Sequence, residues 1–216
     1  MKDCLIVFAK EPEAGKVKTR LQGYLSPDTC VKLYKAFLSD MLELARSIKC
    51  SVKVLAYESS VVEPRYLKTI AQDFLFHKQE GRNLGEKMHH AFNFAKRMNC
   101  NKIVIIGSDS PNLPLKYIKE AYSRLGKSDI ILGPSHDGGY YLIGLKNPCK
   151  GIFKGVEWSS KTVLDNTITN ASNIGKKISI LKKWYDVDDS MGFIRLKSDL
   201  KKKKKAAPWT RKLLKI

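Results

Sequence analysis

At 216 residues, with 43% hydrophobic content and no apolar run long enough to span a bilayer, the chain reads as one soluble domain of ordinary α/β size. The apolar stretch from Cys4 to Ala9 is too short for a signal peptide, and five scattered cysteines without a C-x-x-C pair exclude a zinc finger and a disulfide framework, so reduced thiols and a cytoplasmic location are expected. The formal charge of +19 is uneven: residues 176–216 carry 14 Lys and Arg against 4 Asp, including an unbroken lysine run at 201–205. This divides the chain into a single domain at 1–200 and a basic C-terminal tail at 201–216, expected to be solvated, with weak salt-sensitive attraction to nucleic acid or an anionic membrane as the alternative.

Residues 2–9 place Leu5, Ile6, Val7 and Phe8 in a row, the signature of a buried strand. The strand runs directly into KEPEAGKVKTRL at 10–21, where Lys10, Lys16, Lys18 and Arg20 surround Gly15. Pro12 and Gly15 interrupt regular structure there. On an extended segment Lys16, Lys18 and Arg20 would face one way, with Val17 and Thr19 facing the other. A polyphosphate needs backbone amides exposed at a glycine together with converging cations, so Gly15, Lys16, Lys18 and Arg20 are the candidate phosphate-binding residues. A P-loop is excluded, because its first glycine is missing and Val17 stands where Ser or Thr would hold magnesium.

Ser26-Pro27-Asp28 is a helix start, and apolar residues at helical spacing carry that helix to about residue 49. A strand at 52–57, a short helix at 66–73 and a short strand at 74–77 follow. Gly81, Asn83 and Gly85 lead into a helix running to about 99, with Glu86 placed in its first turn to suit the helix dipole. His89 and His90 are adjacent, so they diverge and make no metal-binding face.

The stretch KIVIIGSDSPNL at 102–113 is the most informative. Four β-branched residues in a row predict a parallel strand buried on both faces. Asp109 falls where that strand ends, and open α/β sheets bind ligands at the carboxyl ends of their strands. Asp109 is therefore a candidate ligand for Mg²⁺ or Mn²⁺ and a candidate catalytic residue. A helix at 115–125 and two strands at 130–132 and 140–145 come next. Between the strands, Asp137 is a candidate general base, and Gly138, Gly139 and Tyr140 are candidate substrate contacts, although a hairpin turn would also use Asp137-Gly138. After a helix at 161–171 and a strand at 178–181, the segment Tyr185-Asp186-Val187-Asp188-Asp189 offers further acids. Alternation puts Asp186 and Asp188 on one side as additional metal ligands, while Asp189 caps the helix beyond.

FAKEPEAGKVKTRL, QEGRNLGEKM, IGSDSPNL, LGPSHDGGYYLIGL, Trp158-Ser159-Ser160 and DVDD, in that order across residues 3–200, resemble the DUF2064 family. That family is also called radical-SAM/selenodomain-associated transferase 1, or CofC-like, within the GT-A nucleotide-diphospho-sugar transferase superfamily. The resemblance implies a Rossmann-like GT-A fold, with a mostly parallel central sheet and helices on both faces, and a divalent metal. It also implies a nucleotide-sugar or nucleoside triphosphate substrate and a small-molecule acceptor. The leading expectation is a metal-dependent glycosyltransferase-like enzyme with a nucleotide-diphospho-sugar donor. The alternative is a guanylyltransferase-like nucleotidyltransferase that releases pyrophosphate. It is suggested by Gly107-Ser108-Asp109, a single acid where metal-dependent sugar transferases of this fold carry Asp-x-Asp. A non-catalytic nucleotide- or nucleic-acid-binding protein is the remaining class, and no nucleic-acid-binding motif supports the latter.

Overall fold

The computed structural model describes residues 2–60 and 63–216. Among the described residues, seven strands form one sheet: β1 (Lys2–Lys10), β2 (Val52–Glu58), β3 (Leu75–Lys78), β4 (Cys100–Ile106), β5 (Ile130–Pro134), β6 (Tyr140–Leu145) and β7 (Ile178–Ile180). Their order across the sheet is β3-β2-β1-β4-β6-β5-β7. Only β6 runs against the rest; it pairs antiparallel with both β4 and β5. The short strands β3 and β7 form the two edges.

Seven α-helices among the described residues cover the faces: α1 (Pro27–Arg46), α2 (Arg65–Ile70), α3 (Leu84–Arg97), α4 (Leu115–Arg124), α5 (Val163–Asn173), α6 (Ser190–Lys202) and α7 (Pro208–Leu214). The central strands alternate between two cores. Leu5, Val7, Leu55, Val104 and Ile106 pack with α1, α2, α4 and α6 on one face. Cys4, Ile6, Val54, Ile103 and Ile105 pack with α3 and α5 on the other. Burial on both sides explains why β1 and β4 read as continuous apolar runs. The mostly parallel α/β sheet with helices on both faces is thus the architecture expected from the sequence. All five cysteines are unpaired thiols, and among the described residues no helix is long and apolar enough to cross a membrane.

The helix starts follow their caps. The Thr29 amide donates to Ser26 Oγ ahead of α1, with Pro27 in the first turn. At α3 the Glu86 amide donates to Asn83 Oδ1 while the Glu86 carboxylate accepts from the Arg82 amide, a reciprocal arrangement that gives Glu86 its structural role. Asp189 caps α6 by accepting from the Gly192 amide.

The C-terminal segment is not a free tail. Residues 201–205 are exposed, but the chain then turns and α7 lies on α1. The clasp is Asp40 on α1, which is buried and accepts from the Trp209 amide, the Thr210 amide and the Thr210 hydroxyl. The composition of the lysine run hid this anchor, since the segment is held to α1 by Trp209 and Thr210 rather than by the lysines.

Burial pushes the Asp40 carboxyl up to about 6, against the lowering effect of the Thr210 and Trp209 hydrogen bonds. A carboxyl raised on folding favours the protonated native state. Its contribution is fully present below the ordinary carboxylate value of 3.8 and is lost as pH rises through 6. An Asp40→Asn variant, which cannot ionise, is therefore expected to gain roughly 2–3 kcal/mol relative to wild type between about pH 4 and pH 7. Urea denaturation of both proteins at the two pH values measures this; a pH-independent difference contradicts it.

Candidate active site

The strand order reverses between β1 and β4, since the chain moves from β1 outward to β2 and β3 and returns on the other side as β4. Such a switch point opens a crevice at the carboxyl ends of the strands. A cleft of about 520 Å³ lies there, lined by Lys10, Lys16, Lys18, Arg20, Glu58, Gln79, Asp109, Tyr140, Asp186 and Asp188 among others.

Its scaffold ties β1, β4 and α1 together. Tyr34 on α1 accepts from the Lys10 amide (2.9 Å) at the end of β1 and hydrogen-bonds Ser108 Oγ (2.9 Å) just past β4. Both Tyr34 and Ser108 are 3% exposed, so this link is internal. The acidic segment 185–188 is stitched to the β4 end in the same way. The Val187 amide donates to Asp109 O at 2.8 Å, and Ser110 Oγ donates to Tyr185 O (2.9 Å) and Asp186 Oδ1 (2.5 Å). Below it, Asn112 Nδ2 donates to Tyr185 Oη, and that hydroxyl donates to Asp199. The acids from two distant parts of the chain therefore meet at one rim.

Lys18 lies at the centre of the acids. Its ammonium donates to Asp109 Oδ1 (2.5 Å), Asp188 Oδ1 (3.0 Å) and the Val187 carbonyl (2.8 Å). The lysine side chain is 2% exposed, whereas Asp109 and Asp188 are 40% and 44% exposed. The cation thus sits beneath the two carboxylates and the acids open to the cleft. Burial pulls the Lys18 ammonium downward, but Asp109 and Asp188 outweigh it and hold it well above the usual lysine range, so it stays charged. Although 44% of its side chain opens to the cleft, partial desolvation by the surrounding protein raises Asp188 despite Lys18, with Asp109 and Asp137 adding to the effect. Asp186 is pushed up to about 7 by burial, with Asp109, Asp188 and Asp137 adding to it and the Ser110 hydrogen bond opposing it.

This corrects one expectation. Residues 16–20 do not form an extended segment with three cations on one side. Lys18 adopts a left-handed backbone at φ 51° and a 3₁₀ turn follows at Thr19–Leu21. The paired carboxylates draw Lys18 inward while Lys16 and Arg20 stay exposed. Lys18 is therefore committed to the acids, and the exposed cations of this loop are Lys16, itself paired with Glu13, and Arg20. Lys16 rests on Glu13 (2.9 Å) and Ser60 (2.6 Å). Gly15 has φ +78° and gives the loop its turn, but it is not among the residues lining the cleft.

The Asp137 loop serves mainly its own geometry. Asp137 Oδ1 accepts from Ser135 Oγ and from the Gly139 amide (3.0 Å), an Asx-turn. At φ +94°, Gly138 lies so close to the Lys161 backbone that a Cβ would collide with it. The hairpin thus accounts for Asp137 and Gly138, and the first needs no ligand. Tyr140 does line the cleft, with its hydroxyl buried on the far side. Three contributors escaped the sequence reading: Tyr34, Ser108 and Gln79. The last had a legible signal, since Gln79 directly follows β3, the same strand-end position that flagged Asp109.

Among the described residues, no three His, Cys, Asp or Glu side chains converge as a ready-made metal cage. The donor set nonetheless fits Mg²⁺ or Mn²⁺. Asp109 and Asp188 each commit Oδ1 to Lys18 and leave Oδ2 without a protein partner among the described residues. Magnesium is commonly held by one or two carboxylates, with water and substrate phosphate completing its octahedron.

The profile of the family described as an uncharacterized protein conserved in bacteria, DUF2064, matches residues 41–160, more than half of the chain. The chain belongs to DUF2064. A crystal structure from Desulfovibrio desulfuricans G20, described as a candidate nucleotide-diphospho-sugar transferase, is 31% identical to this DUF2064 protein. It aligns over 100% of this chain and 95% of its own, with a TM-score of 0.92. A curated 2-phospho-L-lactate guanylyltransferase from Methanobrevibacter ruminantium is 27% identical over 144 residues, 61% of this chain. The chain spans about 59% of that relative's length. Rv0371C of Mycobacterium tuberculosis H37Rv, solved with manganese, shares the fold at 13% identity and a TM-score of 0.53 over 91% of this chain and 98% of its own.

Proposed function

We propose that this DUF2064 protein is a nucleotidyltransferase, which joins the nucleoside monophosphate of a triphosphate to a small anionic acceptor and releases pyrophosphate. The observation that carries the reading is the acid rim. One strand-end acid, Asp109, is paired with Asp188 from a later segment across a buried ammonium, in place of an Asp-x-Asp pair. The similarity to a curated guanylyltransferase supports the same choice. Glycosyl transfer from a nucleotide-diphospho-sugar, the leading expectation from sequence, becomes the second reading, favoured by the description of the Desulfovibrio structure.

In this mechanism an acceptor oxygen attacks the α-phosphorus. The new P–O bond forms as the bond to the bridging oxygen breaks, and the electron pair leaves with pyrophosphate. Lys16 and Arg20 face the β- and γ-phosphates and neutralise charge that develops on the leaving group. Lys18 holds Asp109 and Asp188 together against their mutual repulsion, so that their outward oxygens present a fixed site. Asp109 and Asp188, with Asp186 behind them, would hold a divalent cation, which when bound would polarise a phosphoryl oxygen. Alignment within the cleft supplies much of the remainder.

The test is a panel of the four nucleoside triphosphates and several nucleotide-diphospho-sugars, each with Mn²⁺ and phosphorylated hydroxy-acid acceptors. The expected result is pyrophosphate release with a product heavier than the acceptor by one nucleotidyl unit. Release of nucleoside diphosphate from a sugar donor overturns the proposal in favour of glycosyl transfer.

A further inference from the structure

The end of the chain carries a concentration of charge that the cleft does not use. Residues 200–216 contain seven lysines, one arginine and no acid. In a free chain such a block repels itself and stays mobile. Here it is strapped down. The Asp40 clasp fixes α7 on α1, and the Lys203 ammonium lies 5.1 Å from the centre of the Trp184 ring. Residues 201–205 are nonetheless exposed, so their charges are presented outward at a fixed place.

The helix beside them has two different faces. Thr210 is buried and Leu214 packs against the core that α1 helps to form. Trp209, Lys212 and Leu213, three and four positions apart, share the opposite face. Trp209 is 49% exposed and Leu213 39%, with Lys212 exposed between them. The indole N–H donates to Glu43 at 3.0 Å, so the one polar group of that ring is already satisfied. An apolar pair on a rigid helix is thus set among lysines.

The pair calls for an apolar medium, and the lysines call for negative charge. An anionic bilayer supplies both within a few ångströms of depth: acidic headgroups outside, and beneath them the acyl boundary that takes Trp and Leu. We infer that α7 and the lysine run form a docking surface for an anionic lipid membrane. This is independent of the reaction proposed for the cleft. Charge complementarity selects the occupant. A second copy of a chain of net charge +19 would set like lysines against each other across a symmetric contact. A nucleic acid offers phosphates to the lysines but no apolar layer to Leu213. The surface is formed before docking, so little ordering opposes it. Two apolar anchors make the attachment shallow and reversible, with charge as its main source of affinity.

The experiment is co-sedimentation of the full chain with vesicles of phosphatidylcholine alone and of phosphatidylcholine mixed with phosphatidylserine, at low and physiological salt. Binding of a mixed-sequence RNA is measured in parallel. The chain is expected to sediment with the phosphatidylserine vesicles alone and to be released as salt rises. The triple variant Lys204→Gln, Lys205→Gln, Lys212→Gln is expected to lower partitioning by about a hundredfold, since each lysine near an anionic surface contributes roughly fivefold. The double variant Trp209→Ser, Leu213→Ser keeps every charge and is expected to lower it by about tenfold, with loss of the blue shift in tryptophan emission on docking. Thermal melting shows that each variant is folded, and the lysine variant tests the inference should the other unfold. Failure to bind phosphatidylserine vesicles overturns the inference, whether or not the chain self-associates. RNA binding that exceeds vesicle binding and weakens in the Trp209 and Leu213 variant overturns it in favour of a nucleic-acid surface.

Discussion

Asp109→Asn is expected to lower the nucleotidyl transfer proposed above by about 10²–10³-fold while the protein remains folded. Asparagine keeps a carbonyl oxygen at the position that accepts from Lys18, and Asp109 is 40% exposed, so the packing of the β4 end survives. What disappears is one of the two negative charges at the rim. A divalent cation held there would lose one of its anchors, and the proposed stabilisation of charge on the leaving pyrophosphate would fall with it. Pyrophosphate release measures the first effect. Thermal denaturation with and without Mn²⁺ and nucleotide measures the second, because the ligand-induced rise in melting temperature should shrink while the ligand-free value holds. A variant with wild-type turnover removes Asp109 from the chemistry.

Lys18→Met carries the other large effect, and its signature is different. The ammonium is buried and keeps two carboxylates together. Without it, Asp109 and Asp188 repel each other across a space lined by the Phe37 ring, 5.2 Å from the ammonium. A fully buried pair broken in this way costs about 3–5 kcal/mol. Here the acids are partly exposed and can rehydrate, so roughly 1–3 kcal/mol is the expected loss. Activity should fall at least as far as in Asp109→Asn, since both anchors lose their positions. The distinguishing observation is metal dependence. With no cation beneath them, the acids should draw more stabilisation from Mn²⁺ than they do in the wild type. Melting temperatures across a manganese titration read this directly. A Lys18→Met protein as stable and as active as wild type refutes the role given to this residue.

The sequence alone carried the architecture further than the site. Ile103–Ile106 and Leu5–Phe8 announce strands buried on both faces, because a parallel sheet covered on two sides leaves no polar position in its central strands. Asp109 was legible for a related reason, since a carboxylate three residues past such a strand falls at the edge where ligands bind. Asp186 and Asp188 were legible as acids on one side of a short segment. Lys18 was misread because alternation presumes an extended backbone, whereas φ 51° at Lys18 turns the side chain inward. That reversal depends on a carboxylate pair assembled from residues 91 and 170 positions away, a contact that no local pattern contains. Tyr34 falls at a core-facing position of the helical spacing in α1; its ring is buried, but its hydroxyl does the structural work at the strand ends. Trp209 and Thr210 were hidden behind five lysines, where the dominant charge signal concealed a short anchored helix.

The edge strands have a bearing on behaviour in solution. β3 and β7 contain four and three residues, and each leaves an apolar side chain outward, Leu75 at 49% exposure and Ile180 at 41%. Strands this short give an incoming chain little backbone to zip onto, and Lys78, Lys177 and Lys182 flank them with like charge. Ribbon-wise stacking of separate molecules is thereby discouraged at both ends of the sheet, and added salt, which screens those lysines, is the condition that relaxes this protection.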